Sequence, residues 1–185
     1  MSTTNQINPG MTINLNGKIY RVESSVKVTV VKGTPFIKTK LRDLLTDKLI
    51  EKNFKTTQTV EEVSLKEYAL EFLYPEGKDY LFLNIETLEQ VLVPSGILGD
   101  KINYLKEGTQ VKASFYGEAV FTIELPEFLE LMVVKTPAVD EKMNVAHTTK
   151  EAVLETGAKI KVPLFIEVGD VLKVDTYKNE FIQRI

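Results

Sequence analysis

Apolar residues recur at every second position through most of the chain, which is the period of a half-buried β-strand. Met11, Ile13 and Leu15 alternate with polar residues, and Asn16-Gly17 follows as a hairpin turn signal. The spacing predicts a return strand over residues 19–23 and a third strand carrying Val26, Val28 and Val30. A fourth strand is expected over 36–42 and a fifth over 49–54. Strands this short and this closely spaced predict a small barrel. A second group begins near Val63, where Tyr68, Leu70, Phe72 and Tyr74 fall on one face of a strand. Residues 75–78 turn the chain and 79–85 return. Residues 97–105 fit one or two helical turns stopped by Gly108, and strands follow at 111–115 and 120–125. A third group places strands at 128–134, 158–162 and 171–176. No long segment keeps the helical period. The expectation is an all-β chain of three units, 1–62, 63–126 and 127–185.

Units two and three resemble each other. At an offset of 61 residues, Leu105, Gly108, Lys112 and Tyr116 align with Ile166, Gly169, Lys173 and Tyr177. The shared pattern predicts one barrel fold used twice.

Composition narrows the class. With 185 residues and 43% hydrophobic content the chain is expected to be globular rather than disordered. No apolar run approaches the roughly 20 residues of a membrane helix, and residues 1–9 lack the pattern of a secretory signal. There is no cysteine, which removes disulfides, thiolate metal sites and cysteine nucleophiles. A cytoplasmic location is expected. The net charge of −3 conceals an uneven distribution. Residues 1–62 hold ten Lys or Arg against six Asp or Glu, and residues 63–126 hold five against ten. A basic end on an acidic body suits a polyanionic partner, although chance variation in a solvated surface fits as well.

Catalytic chemistry is hard to find. The one histidine, His147, lies in a polar stretch with nothing to pair it. Phosphate-binding glycine loops and calcium loops are missing. A binding protein without cofactor or metal is expected, not an enzyme. The most informative segment is Val30-Val31-Lys32-Gly33-Thr34-Pro35-Phe36. Lys32 sits at a hairpin apex, Gly33 relaxes the backbone beside it and Pro35 stiffens the way out. Beyond the turn, Phe36, Lys38, Lys40 and Arg42 share one strand face. The three cations form a stripe roughly 14 Å long, a few phosphate spacings along a nucleic-acid strand. Either feature alone fits an ordinary solvated surface. Together they point to RNA.

A family resemblance rests on longer motifs. Lys150-Glu151-Ala152, Gly157, the run Ile160-Lys161-Val162-Pro163-Leu164-Phe165-Ile166, Gly169 and Lys173-Val174-Asp175-Thr176 together resemble the signature of the elongation factor P family. Lys32-Gly33, Phe36 and Lys40-Leu41-Arg42-Asp43-Leu44 are similar to that family's first-domain hairpin. The resemblance extends over essentially the whole chain. It implies an SH3-like, KOW-like first barrel and two oligonucleotide-binding (OB) barrels, arranged in an L that mimics tRNA. It implies binding to ribosomal RNA and proteins between the peptidyl and exit tRNA sites. The family's hairpin lysine, often lengthened by a modifying enzyme, approaches the acceptor end of peptidyl-tRNA and promotes bonds that stall between consecutive prolines. Lys32 is the matching residue, and Phe181 and Arg184 match an aromatic and an arginine that contact RNA. Three positions depart from the family pattern. Val30-Val31 stands where many members have Pro-Gly, residues 140–145 lack a Gly-Asp-Thr loop, and Phe181 replaces a tyrosine. A paralogue serving another step of translation, or a general RNA-binding β-barrel protein, remains an alternative reading.

Overall fold

The structure is a computed structural model that describes residues 2–3, 6–139 and 148–185; His147 and residues 140–145 lie outside the described residues. By contact the chain separates into two compact units, 1–65 and 66–185. Almost all regular structure is strand, as the two-residue period predicts. Among the described residues no helix is long and apolar enough to cross a membrane.

The first unit is one six-stranded sheet. Its strands are β1 (Ser2–Thr3), β2 (Thr12–Leu15), β3 (Lys18–Val28), β4 (Phe36–Asp43), β5 (Leu49–Lys55) and β6 (Thr59–Glu62), in the order β1-β6-β2-β3-β4-β5. Asn16 (φ 52°) and Gly17 (φ 82°) turn β2 into β3, the double left-handed conformation that an Asn-Gly pair supplies. The Gly17 N–H donates to Asn14 Oδ1 at 3.0 Å. The inward faces bury Ile13, Val22, Ile37, Leu41, Phe54 and Val60 in one cluster. The alternation suggested two strands between Ile19 and Val30, but β3 is continuous. A β-bulge between Val22 and Ser24 takes up one residue, shifts the pairing with β4 and reverses the alternation midway. The polar run Glu23-Ser24-Ser25 at that bulge is what made one strand read as two.

The second unit contains two sheets over a shared core. The first runs β11-β10-β7-β8-β9, built from β7 (Lys66–Glu76), β8 (Asp79–Asn84), β9 (Gln90–Pro94), β10 (Gln110–Tyr116) and β11 (Ala119–Glu124). Between β9 and β10 lie a helical turn, α1 (Ser95–Leu98), and a 3-10 turn (Gly99–Tyr104), where one or two helical turns were expected. The second sheet closes into a barrel in the order β12-β13-β14-β16-β15. Its strands are β12 (Phe128–Lys135), β13 (Thr149–Leu154), β14 (Lys159–Pro163), β15 (Val171–Asp175) and β16 (Glu180–Arg184). Leu70, Phe82 and Ile123 from the first sheet join Leu131, Leu154 and Leu172 from the second in one apolar cluster.

The offset of 61 residues holds in the backbone. The Gly108 N–H donates to the Phe72 carbonyl at 2.9 Å, and the Gly169 N–H donates to the Val133 carbonyl at 2.9 Å. In return Phe72 N–H donates to Thr109 and Val133 N–H to Asp170, both at 2.8 Å. Lys112 faces Ala69 across β10–β7 as Lys173 faces Glu130 across β15–β12. Both glycines hold left-handed φ, 85° and 92°, as the chain enters β10 or β15. The two sheets are therefore one design used twice.

Strands β1, β6, β9, β13 and β16 escaped the sequence pattern. In β13 the reason is Lys150, whose side chain is buried and donates to the Pro137 carbonyl at 3.0 Å. A cation on the inward face, followed by a small Ala152, does not read as a hydrophobic alternation.

Polar ties hold the two sheets of this unit together. Tyr104 Oη donates to Asn179 Oδ1 at 2.6 Å, and Tyr177 Oη donates to the Leu125 carbonyl at 2.9 Å. Glu155 Oε1 accepts from the Met132 N–H and from Lys106 Nζ, each at 3.0 Å. The Met132 N–H, against a smaller opposing effect of burial and helped by Lys106, holds the Glu155 carboxyl below its usual range.

Two outcomes follow. A depressed carboxyl contributes stability above the ordinary carboxylate range and loses it as pH falls through its folded value. Glu155→Gln should therefore be less stable than the parent at neutral pH, with the gap closing below about pH 4, read by urea unfolding across a pH series. Gly108→Ala and Gly169→Ala should each lose about 1–2 kcal/mol in the same assay, because each forces a side chain into the left-handed region.

Candidate nucleic-acid interface

Strand β4 decides where the hairpin's cations point. Ile37, Thr39, Leu41 and Asp43 are buried, and Thr39 Oγ1 donates to the Lys52 carbonyl at 2.8 Å. A strand alternates its side chains, so Phe36, Lys38, Lys40 and Arg42 face outward. The shared face expected from sequence is present. Its charges are not equally available. Arg42 Nε donates to Glu23 Oε1 at 2.7 Å, and its Nη1 lies 3.4 Å from Asp47 Oδ1. The Glu23 hydrogen bond and the two carboxylates raise the guanidinium's already high pKa further. Lys38 Nζ is 3.9 Å from Glu51 Oε2, both largely exposed. Lys40 has no ion-pair partner among the described residues. Sequence spacing could not separate these three, because the carboxylates come from other segments and meet β4 only through its register.

Pairing of β3 with β4 ends at Val28 and Phe36, leaving residues 29–35 as the hairpin tip. Lys32 is the central residue of that tip, and Lys32, Gly33 and Thr34 are exposed while Pro35 is half-buried. Val31 beside it is 101% exposed, so nothing in the first unit covers the apex. Gly33 differs from expectation. It does not adopt the left-handed backbone, and a Cβ there would meet only the Val30 side chain at 3.7 Å. The turn itself does not require glycine. Lys55, missed in the sequence, sits opposite Phe36 on β5 at the foot of the tip.

In the second unit Phe181 is half-buried against the core and lines a groove of about 540 Å³ with Thr149, Lys159, Lys161 and Asn179. Cations beside an aromatic ring suit a stacked base and its phosphate. Lys159 and Lys161 escaped notice because their neighbour Phe181 is about 20 residues away in sequence and reaches them through the β14–β16 pair, Lys161 with Glu180. Arg184 does not share that groove. Its guanidinium lies 5.5 Å from the Phe165 ring centroid and 3.6 Å from Asp170 Oδ2.

Comparison with known proteins matches three stretches of the chain. Residues 3–60 match the elongation factor P KOW-like domain, 65–123 the elongation factor P OB domain and 129–184 the elongation factor P C-terminal domain. Elongation factor P 1 of Protochlamydia amoebophila is 60% identical over 185 residues, covering all of both chains. Elongation factor P of Carboxydothermus hydrogenoformans is 37% identical over the same full length. A solved structure of a translation initiation factor eif-5a family protein from Naegleria fowleri aligns with a TM-score of 0.50 at 14% identity, over 66% of this chain and 96% of that one, a likeness of fold alone. Identity that runs from end to end, with a KOW-like module ahead of an OB module and the family's C-terminal domain, assigns the chain to the elongation factor P family.

Proposed function

We propose that this protein is a translation elongation factor that binds the ribosome between the peptidyl and exit tRNA sites and stimulates peptide-bond formation at consecutive prolines. The observation that carries the reading is the exposed tip with Lys32 at its centre, in a chain whose full length matches elongation factor P relatives. Proline is a poor nucleophile because of its geometry, and holding peptidyl-tRNA in a reactive pose restores rate without any acid, base or nucleophile from the factor. A single long cation suits that task. It neutralises a phosphate near the acceptor end and leaves the chemistry to the ribosome. The factor is thus not an enzyme in its own right, and it works in the cytoplasm. Lys38, Lys40 and Arg42 are the residues proposed to meet RNA in the first unit, with Phe181 and Arg184 in the second. Lys32 is also where a modifying enzyme would extend the tip.

Three outcomes test this reading. In a reconstituted translation assay with a consecutive-proline reporter, the wild-type protein should relieve stalling. Lys32→Ala should lower that stimulation by about tenfold or more, the worth of one lost charge-assisted hydrogen bond. Failure of the wild-type protein to relieve stalling would refute the proposal. Gly33→Ala should unfold at the parent's urea midpoint, since its new Cβ finds only an ordinary contact, yet stimulate less because the tip approaches RNA closely. Lys40→Ala should reduce the slope of log ribosome affinity against log salt by about one, while Arg42→Ala, already paired with Glu23 and Asp47, should change it less.

A further inference from the structure

The two sheets of the second unit differ where the design leaves a gap. In the last barrel β14 and β16 close the ring through Lys161 and Glu180. In the first sheet the corresponding edges stay open, for β9 pairs only with β8 and β11 only with β10. Between them runs a groove of about 820 Å³. Tyr68, Val91, Phe115 and Val120 give it an apolar lining, and Glu89 and Glu118 stand at its rim. Neither glutamate has an ion-pair partner among the described residues. One end of the β11 edge is already occupied, because Lys101 Nζ donates to the Ile123 carbonyl. The helical turn α1 packs against both edges at one end of the gap, and beyond it β9 and β11 pair with no further strand, the condition that templates an added one.

The sign of the charge selects the occupant. The groove on the last barrel carries Lys159 and Lys161 against a single Glu180, whereas this one carries Glu89 and Glu118 and no cation. Residues 63–126 as a whole hold ten acidic side chains against five basic. A nucleic-acid backbone is repelled here, and a cationic chain is drawn in. We propose that the groove between β9 and β11 binds an extended, lysine- or arginine-bearing polypeptide segment by strand addition. Main-chain hydrogen bonds to an open edge hold the segment, alternate apolar side chains fill the lining, and the basic ones reach Glu89 and Glu118. This site is independent of the tip and of the translational reading.

The test uses the isotope-labelled full chain, followed by amide chemical shifts. The probe is a short synthetic peptide of alternating valine and lysine, compared with a valine–glutamate peptide and with oligouridine. The valine–lysine peptide should shift amides at 89–93 and 117–121, more weakly at high salt. The Glu89→Lys, Glu118→Lys double variant should keep the parent spectrum elsewhere and bind about tenfold more weakly. Four results would overturn the proposal: oligouridine shifting the same amides, an affinity unchanged in the double variant, no shift up to millimolar peptide, or the same shifts appearing with protein concentration alone, which would make a second copy the occupant.

Discussion

The pairing of β3 with β4 is the constraint on which the functional surface depends. Two long strands, Lys18–Val28 and Phe36–Asp43, run antiparallel until Val28 meets Phe36 and then let go. Burial of Ile37, Thr39 and Leu41 fixes the face of β4 that looks outward, since a slip of one residue would turn every cation on it into the core. The same pairing brings Glu23 beside Arg42, and the pairing of β4 with β5 brings Glu51 diagonally within 3.9 Å of Lys38. A ladder of backbone hydrogen bonds thus sets both where the tip ends and how much of the basic stripe remains unneutralised. The exposed Val31 at the apex, an apolar side chain with no cover in its own unit, suits a tip that becomes buried only when a partner receives it.

The second unit shows how one backbone design is given two characters. Paired glycines, equivalent hydrogen bonds and equivalent register make the two sheets alike in geometry. They diverge in closure and in charge at the gap. Two lysines, a phenylalanine and Glu180 line it in one, and Glu89 and Glu118 with Tyr68, Val91, Phe115 and Val120 line the other. A shared core and the Tyr104–Asn179, Tyr177–Leu125 and Lys106–Glu155 ties join the sheets, so their two surfaces are carried by one compact unit.

Much of the fold was legible in the sequence because strands with one buried face announce themselves by period. The all-β class, the Asn16-Gly17 hairpin, the outward Lys38-Lys40-Arg42 face and the repeat around Gly108 and Gly169 all came from local pattern. What was hidden depended on partners distant in sequence. The bulge at Glu23 reversed the alternation inside β3, and buried Lys150 disguised β13. The pairing of Arg42 and the company that Phe181 keeps with Lys159 and Lys161 follow from register, which no single segment encodes. Gly33 is the reverse case. Its presence suggested a backbone need that the turn does not have.

The most direct measurement is a photo-crosslink from the apex. A photoreactive residue at position 31 leaves Lys32 intact and samples its immediate surroundings on ribosomes stalled at consecutive prolines. The expected product joins the protein to the acceptor end of peptidyl-tRNA. Crosslinks confined to other ribosomal components, with none to that tRNA, would contradict a tip that works beside the reacting ends.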